Sequence, residues 1–400
     1  MRPSFPLKML LFAAMAETLS CKTTQGTFGY DKGFILAYDT SAIVLVLGTA
    51  QVLVSPQYQG KVFTSSASGD TGRSFGWIHY QAFDGPIDPH MNAYGGENRF
   101  WLGPEGGPYS LFFAPGDSMT FAHWKTPAPF DSEPWTVGEK GADSVVLHKE
   151  MHLRNYRGST LDLRVDRTIR VLAAQEIDSV LGIELAPSAQ AVGYSTLQTL
   201  TNTGRTAWDE HTGMPCIWLL DMFPPSDKTV IVVPYLPDAT GAKPATTDYF
   251  GEIPPDRLKI DSHTLFCRAD GKSRGKLGIH PSRARSCLGA YDPVHQVLTI
   301  VSFSLDTAGR YLNQEWRTDK PVFSGDAVNA YNDGPLADGS QMGPFYELES
   351  VSPAAELAPG GTQSHEHSVF HFTGPEVQLD AICKKVLGVS IGDVKRVFAQ

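Results

Sequence analysis

This 400-residue chain predicts an all-β fold, an antiparallel sandwich with a short C-terminal helix. Short runs rich in β-branched and aromatic residues recur between turn signals, at residues 43–47, 51–55, 61–65, 110–113, 144–154, 160–171, 229–234, 296–305 and 364–372. Helical periodicity is scarce and no β-helix-β rhythm runs along the chain, which argues against a parallel sheet wrapped in helices. The 38 Gly and 28 Pro supply the turns that many antiparallel strands need.

Taken in order, the early runs give three strands before residue 66, and Asn155-Tyr-Arg-Gly158 reads as a hairpin turn joining 144–154 to 160–171. Residues 379–398 carry the best amphipathic helical pattern and are expected to cap one end of the molecule. No repeat, charge run or Pro/Ser-rich linker marks a boundary. The expected organisation is therefore a leader at 1–20, one sandwich at 28–375 and a helical segment at 376–400. A net charge of -10, with no basic cluster interleaved with aromatics, argues against nucleic acid and for a neutral or cationic small ligand.

Arg2 and Lys8 flank the start of the apolar run 9–16, which leads to Glu-Thr-Leu-Ser before Cys21. The segment resembles a bacterial lipoprotein signal with Cys21 as lipid acceptor, although Thr18 stands where that signal has Leu. The resemblance implies a periplasmic or outer-membrane lipoprotein held to the membrane only by its anchor. Cleavage after Ala14-Met-Ala16, releasing a soluble periplasmic protein, is the alternative. The other cysteines, Cys216, Cys267, Cys287 and Cys383, form no C-x-x-C pair, so they read as buried thiols or one or two disulfides.

The stretch 343–353 mixes strand patterning with charge. Glu347 and Glu349 alternate with apolar residues and so share one face. In 364–372, His365, His367 and His371 share a face opposite Glu366, Phe370 and Phe372. Two nearby strands would then present acids and imidazoles together; a solvated sheet face is the plainer reading. The cluster 95–107 sets Glu97, Arg99, Trp101 and Glu105 among five glycines. Glycine admits close backbone approach, Trp offers a flat face to a sugar ring and Arg a rigid donor fork, while internal Arg–Glu pairing would make the cluster a structural turn. Trp77 and His79 face one way on a short segment, and Asn332-Asp333-Gly334 reads as a turn from which Asp333 can reach a cleft. His148, Glu150 and His152 alternate on one strand face; their spacing could serve a metal, but a solvated strand face looks the same, and no metal or cofactor is expected.

Glu347, followed by Leu357 and Pro359-Gly360, resembles the late segment of aldose and hexose-phosphate mutarotases, as Val52-Leu-Val-Ser-Pro56, Gly60-Lys-Val-Phe63 and Thr201-Asn-Thr-Gly204 resemble their opening strands and central turn. More closely, Gly76-Trp77, the 95–107 cluster, Tyr249-Phe-Gly251, Tyr331-Asn-Asp-Gly334 and 343–349 resemble an uncharacterised exported bacterial domain family with a galactose-mutarotase-like fold, over roughly residues 28–390. The resemblance implies a β-supersandwich with Glu347 as general base toward an anomeric hydroxyl. The chain departs from mutarotases after the central turn, where 213–220 holds no histidine to act as acid and His211 falls earlier. His365 or His367 would have to replace it.

The function expected is a carbohydrate-active protein working by general acid/base chemistry. Glu347 or Glu349 is the candidate base, His365 and His367 complete the catalytic set, and Arg99, Trp101, Glu105, Trp77, His79, Asn332 and Asp333 hold the sugar. A non-catalytic glycan-binding lipoprotein is the alternative.

Overall fold

The computed structural model describes residues 24–238 and 243–399, so the expected leader and its candidate lipid-acceptor Cys21 lie outside the described residues. Among the described residues, eighteen strands form two layers. One layer is a ten-stranded sheet whose central members are β15 (Val297–Phe303), β18 (Thr362–Thr373), β8 (Gln190–Asn202), β7 (Thr160–Val171) and β6 (Ser144–Arg154). It is extended on one side by β14 (Cys287–Asp292), β10 (Val230–Pro234), β12 (Thr264–Arg268) and β11 (Leu258–Ile260), and ends on the other at β5 (Thr136–Lys140). All its pairings are antiparallel.

The facing layer has two parts. Strands β1 (Ile43–Leu47), β2 (Ala50–Ser55) and β3 (Lys61–Ser66) form a meander. Strands β13 (Gly275–Ile279), β16 (Val328–Asn332), β17 (Tyr346–Val351), β9 (Cys216–Phe223) and β4 (Arg99–Gly103) form a five-stranded sheet in that order. A bridge from Val62 to Asn98 joins the two parts. Val52, Val54, Leu163, Leu200, Leu219 and Leu348 are fully buried between the layers, the alternation that an aligned sandwich imposes.

Most predicted strands appear within a residue or two of their expected ends. Residues 110–113 do not form one. They turn sharply, Leu111 N–H donating to Pro104 O, and so bury Phe112 and Phe113 together instead of on opposite faces. The hairpin at Asn155 forms as expected, with Gly158 at φ 93°.

Helix is less confined than the sequence suggested. α1 (Phe28–Tyr38) and α2 (Ala174–Leu181) are additions, and the C-terminal pattern divides into α3 (Glu376–Leu387) and α4 (Ile391–Arg396). Gly388 ends α3 in the left-handed region and Ser390 caps α4 by accepting from Asp393 N–H. α1 is apolar on most sides, so it carries no period to read, and it is held by Phe28 and Ile35 against Leu53 and Phe63. Leu379, Ile382, Leu387 and Val394 of α3 and α4 cover Phe370, Phe372 and Leu298 on the outer face of the ten-stranded sheet. That leaves the other face of β18 turned inward. The four cysteines beyond Cys21 are free, and Cys216, Cys267 and Cys383 are buried.

Candidate functional site

The five-stranded sheet supplies the floor of a cleft. On β17, side chains two apart share a face, so Glu347 and Glu349 point to the open side while Leu348 and Ser350 point into the sandwich. Strand register then sets side chains in rows. Lys276, Tyr331, Glu347 and Met222 lie abreast, followed by Asn329, Glu349, Leu220 and Arg99, and then by the pair Trp218 and Trp101.

Each acid on this floor has its own partner. Arg99 Nη2 donates to Glu347 Oε1 at 2.5 Å, and its guanidinium lies 5.2 Å from the Trp101 ring centroid. Trp218 Nε1 and Lys276 Nζ donate to Glu349 Oε2 at 2.8 and 2.9 Å. Loops build the walls, bringing Glu105, Phe121, Tyr249, Phe250, Arg274 and Trp316 around a cavity of about 680 Å³. A narrower pocket of about 100 Å³ continues down to Arg99, Trp101, Trp218 and Glu347.

Gly106 sets one wall. A Cβ there would stand 1.9 Å from Glu315 O, so only glycine lets the Glu105 segment press against the 314–316 backbone, where Glu105 N–H donates to Gln314 Oε1 at 2.6 Å. Gly106→Ala is expected to part these two loops and weaken any cleft ligand several-fold, while the sandwich keeps its melting behaviour; titration calorimetry beside a thermal melt reads both.

The electrostatics separate the acids. Burial raises Glu347 to about 7, opposed by the Arg99 guanidinium and reinforced by the Glu349 charge. Burial also raises Glu105, opposed by Lys276. Asp333, on the outer wall, is raised by burial against hydrogen bonds including that from Tyr331 OH at 2.9 Å. Glu349 has no exposed surface, whereas Glu347 keeps 7% of its own. Glu347 is therefore the acid on β17 that a ligand can touch, and Glu349 holds Lys276 and Trp218 in place.

The histidines lie elsewhere. His365 and His367 belong to the inward face of β18, behind the floor, and hydrogen-bond to β17 through Ser350, whose Oγ is 2.8 Å from His365 Nε2 and 2.8 Å from His367 Nδ1. His367 Nε2 lies 2.6 Å from Asp221 Oδ2, Asn98 Nδ2 donates to the other oxygen of Asp221, and Arg167 donates to Asn98. Burial and the neighbouring His367 push His365 down to about 3, so its imidazole is neutral. The expected convergence of acids and imidazoles thus does not occur. The strand that carries Glu347 also separates it from the histidines, because Ser350 lies an odd number of residues from Glu347.

Other expected residues divide between wall and support. Arg99, Trp101 and Glu105 line the cleft with Glu347, and Asp333 lines its outer part. Trp77 packs at the edge of the floor on the cleft side, against Met222, Tyr331 and Phe345, and stacks on His79, whose Nδ1 meets Ala93 O at 3.1 Å. Asn332 holds the turn at 271–273 through Gly271 N–H and Ser273 O. His152 lies beside Asp162 on an exposed hairpin, and among the described residues no group of three His, Cys, Asp or Glu is arranged to hold a metal ion. Sequence reading passed over Lys276, Arg274 and Trp218. A lysine inside the strand 275–279 was the available signal, since a charge among buried neighbours needs a partner.

Fold and site together define an antiparallel β-sandwich protein with a sheet-floored, acid-bearing cleft. The chain belongs to the family of unknown function DUF6786, whose model matches residues 26–398. No curated protein matches it. Among solved structures it is similar to a galactose mutarotase-like protein from Lactobacillus casei, at 11% identity and TM-score 0.48, covering 83% of this chain and 100% of that one. It is also similar to a galactose mutarotase related enzyme from Lactobacillus acidophilus, at 10% identity and TM-score 0.41 over 84% and 99% of the two chains. A third, the Slr1438 protein from Synechocystis, shows 13% identity and TM-score 0.47 over 84% and 96%.

Proposed function

We propose that this protein acts on a carbohydrate in the floor pocket, with Glu347 as general base toward a sugar hydroxyl and Glu105 as the matching acid. The observation that carries the reading is the pair of carboxyls lining one pocket with different surroundings: Glu347 is held by Arg99 and titrates near 7, and Glu105 is raised by burial with no guanidinium bound to it. A carboxylate held near 7 beside a second carboxyl raised by burial suits general acid/base chemistry. Trp101 and Trp218 give the floor an apolar lining and Arg99 adds a donor fork, which suits a sugar ring bearing hydroxyls. Proton removal from an anomeric hydroxyl by Glu347, with protonation of the ring oxygen by Glu105, would interconvert anomers.

The test is ring-opening exchange of free aldoses, followed by two-dimensional NMR with purified protein. Saturable binding with no acceleration of exchange for any aldose would favour a glycan-binding protein. The pH profile supplies a second check. Since the base must be ionised, kcat/KM is expected to rise as pH increases through about 7. Arg99→Gln removes a cation that favours the carboxylate and moves this limb upward, whereas Glu349→Gln removes a neighbouring negative charge and moves it downward. Equal shifts in one direction would contradict the assignment of Glu347.

A further inference from the structure

The geometry points to an oligosaccharide bound end-on, one terminal unit on the floor at Glu347 and further units along the loop walls toward Phe121 and Trp316. This rests on the proposed role of Glu347 and extends it to the length of the ligand. The floor pocket, about 100 Å³, opens into the cavity of about 680 Å³ through shared walls that include Glu105, Phe250, Arg274 and Tyr331. The sheet closes the floor behind Glu347, so a ligand reaches that carboxylate with one end and continues outward.

The outer cavity has a built aromatic platform. Phe121 is 61% exposed, yet its ring is held in a stack, 6.0 Å from Trp124 and 4.5 Å from His90 between ring centroids. Trp124 in turn stacks on Trp316 at 5.8 Å. Opposite, Phe250 is 42% exposed and carries the Arg274 guanidinium 3.8 Å from its centroid. These rings are held in place by their neighbours yet left part-exposed beside the cavity, so they offer flat apolar contact area to a ligand entering it. Flat apolar faces suit the C–H faces of sugar rings, while Asp248, Glu315 and Arg317 around them can take the ring hydroxyls. A monosaccharide confined to the floor would leave this outer platform unused.

Calorimetric titration with matched series decides it: glucose, cellobiose and cellotriose; xylose, xylobiose and xylotriose; galacturonate and its di- and trimers. Within the series that binds, affinity is expected to rise at least tenfold from one unit to three. Phe121→Ala should remove most of that increment and leave the monosaccharide unaffected, and Phe121→Tyr should restore it. Phe121 is largely exposed, so the variant is expected to fold, and a thermal melt verifies this. Affinity independent of length, or an equal loss for all lengths in Phe121→Ala, would overturn the proposal while leaving the floor site standing. No binding by any member of any series would overturn it together with the proposed function.

Discussion

Glu347→Gln is expected to lower turnover by at least a thousandfold while changing ligand affinity by no more than a few-fold. The carboxamide keeps the side chain's shape and an oxygen that can still accept from Arg99 Nη2, so the Arg99 fork and the floor remain in place. It cannot take a proton at neutral pH, so the step that needs a base is lost. Glu349→Gln gives the informative contrast. Glu349 touches Trp218 and Lys276 and has no exposed surface, so its loss should disturb the floor and weaken binding, with a smaller effect on turnover at saturating ligand. Isotope-exchange rates and calorimetric affinities on the same preparations separate the two. If Glu349→Gln proved the more damaging to turnover at saturation, the base would have to be reassigned.

The largest effect on stability is expected at His367. Its imidazole and the Asp221 carboxylate are both wholly buried, and Asp221 is otherwise held by Asn98. Removing the imidazole leaves the buried carboxylate with Asn98 but without its second partner; losing one member of a buried pair costs about 3–5 kcal/mol. His367→Ala should therefore lower the denaturant midpoint markedly. Turnover per folded molecule, measured at low temperature, should stay within a few-fold of the parent, because His367 and Glu347 lie on opposite sides of β17. Full stability with lost turnover would return His367 to the catalytic set.

Asp221 shows why this network was hard to foresee. In the sequence it stands in an apolar run, 216–223, with nothing to mark His367, 146 residues later, as its partner. The antiparallel β-sandwich was legible because alternation and turn residues are local properties, and 144–154 and 160–171 agree with the structure to the residue. α1 was not legible, since tertiary packing rather than periodicity holds it.

For the site, the sequence by itself determined which side chains share a face. Period-two alternation put Glu347 with Glu349, and His365 with His367 and His371, and the structure keeps both groupings. It could not determine which layer each face meets. Pairing of β17 with β9 and β16 turned the glutamates toward Arg99 and Lys276 and left Ser350 facing the histidines. Helices α3 and α4, by covering Phe370 and Phe372, committed the histidine face of β18 to the interior. Only tertiary structure decided that the acids open on a cleft and the imidazoles do not, because strand order and layer stacking are set by contacts far apart in the chain, whereas alternation is fixed within each strand.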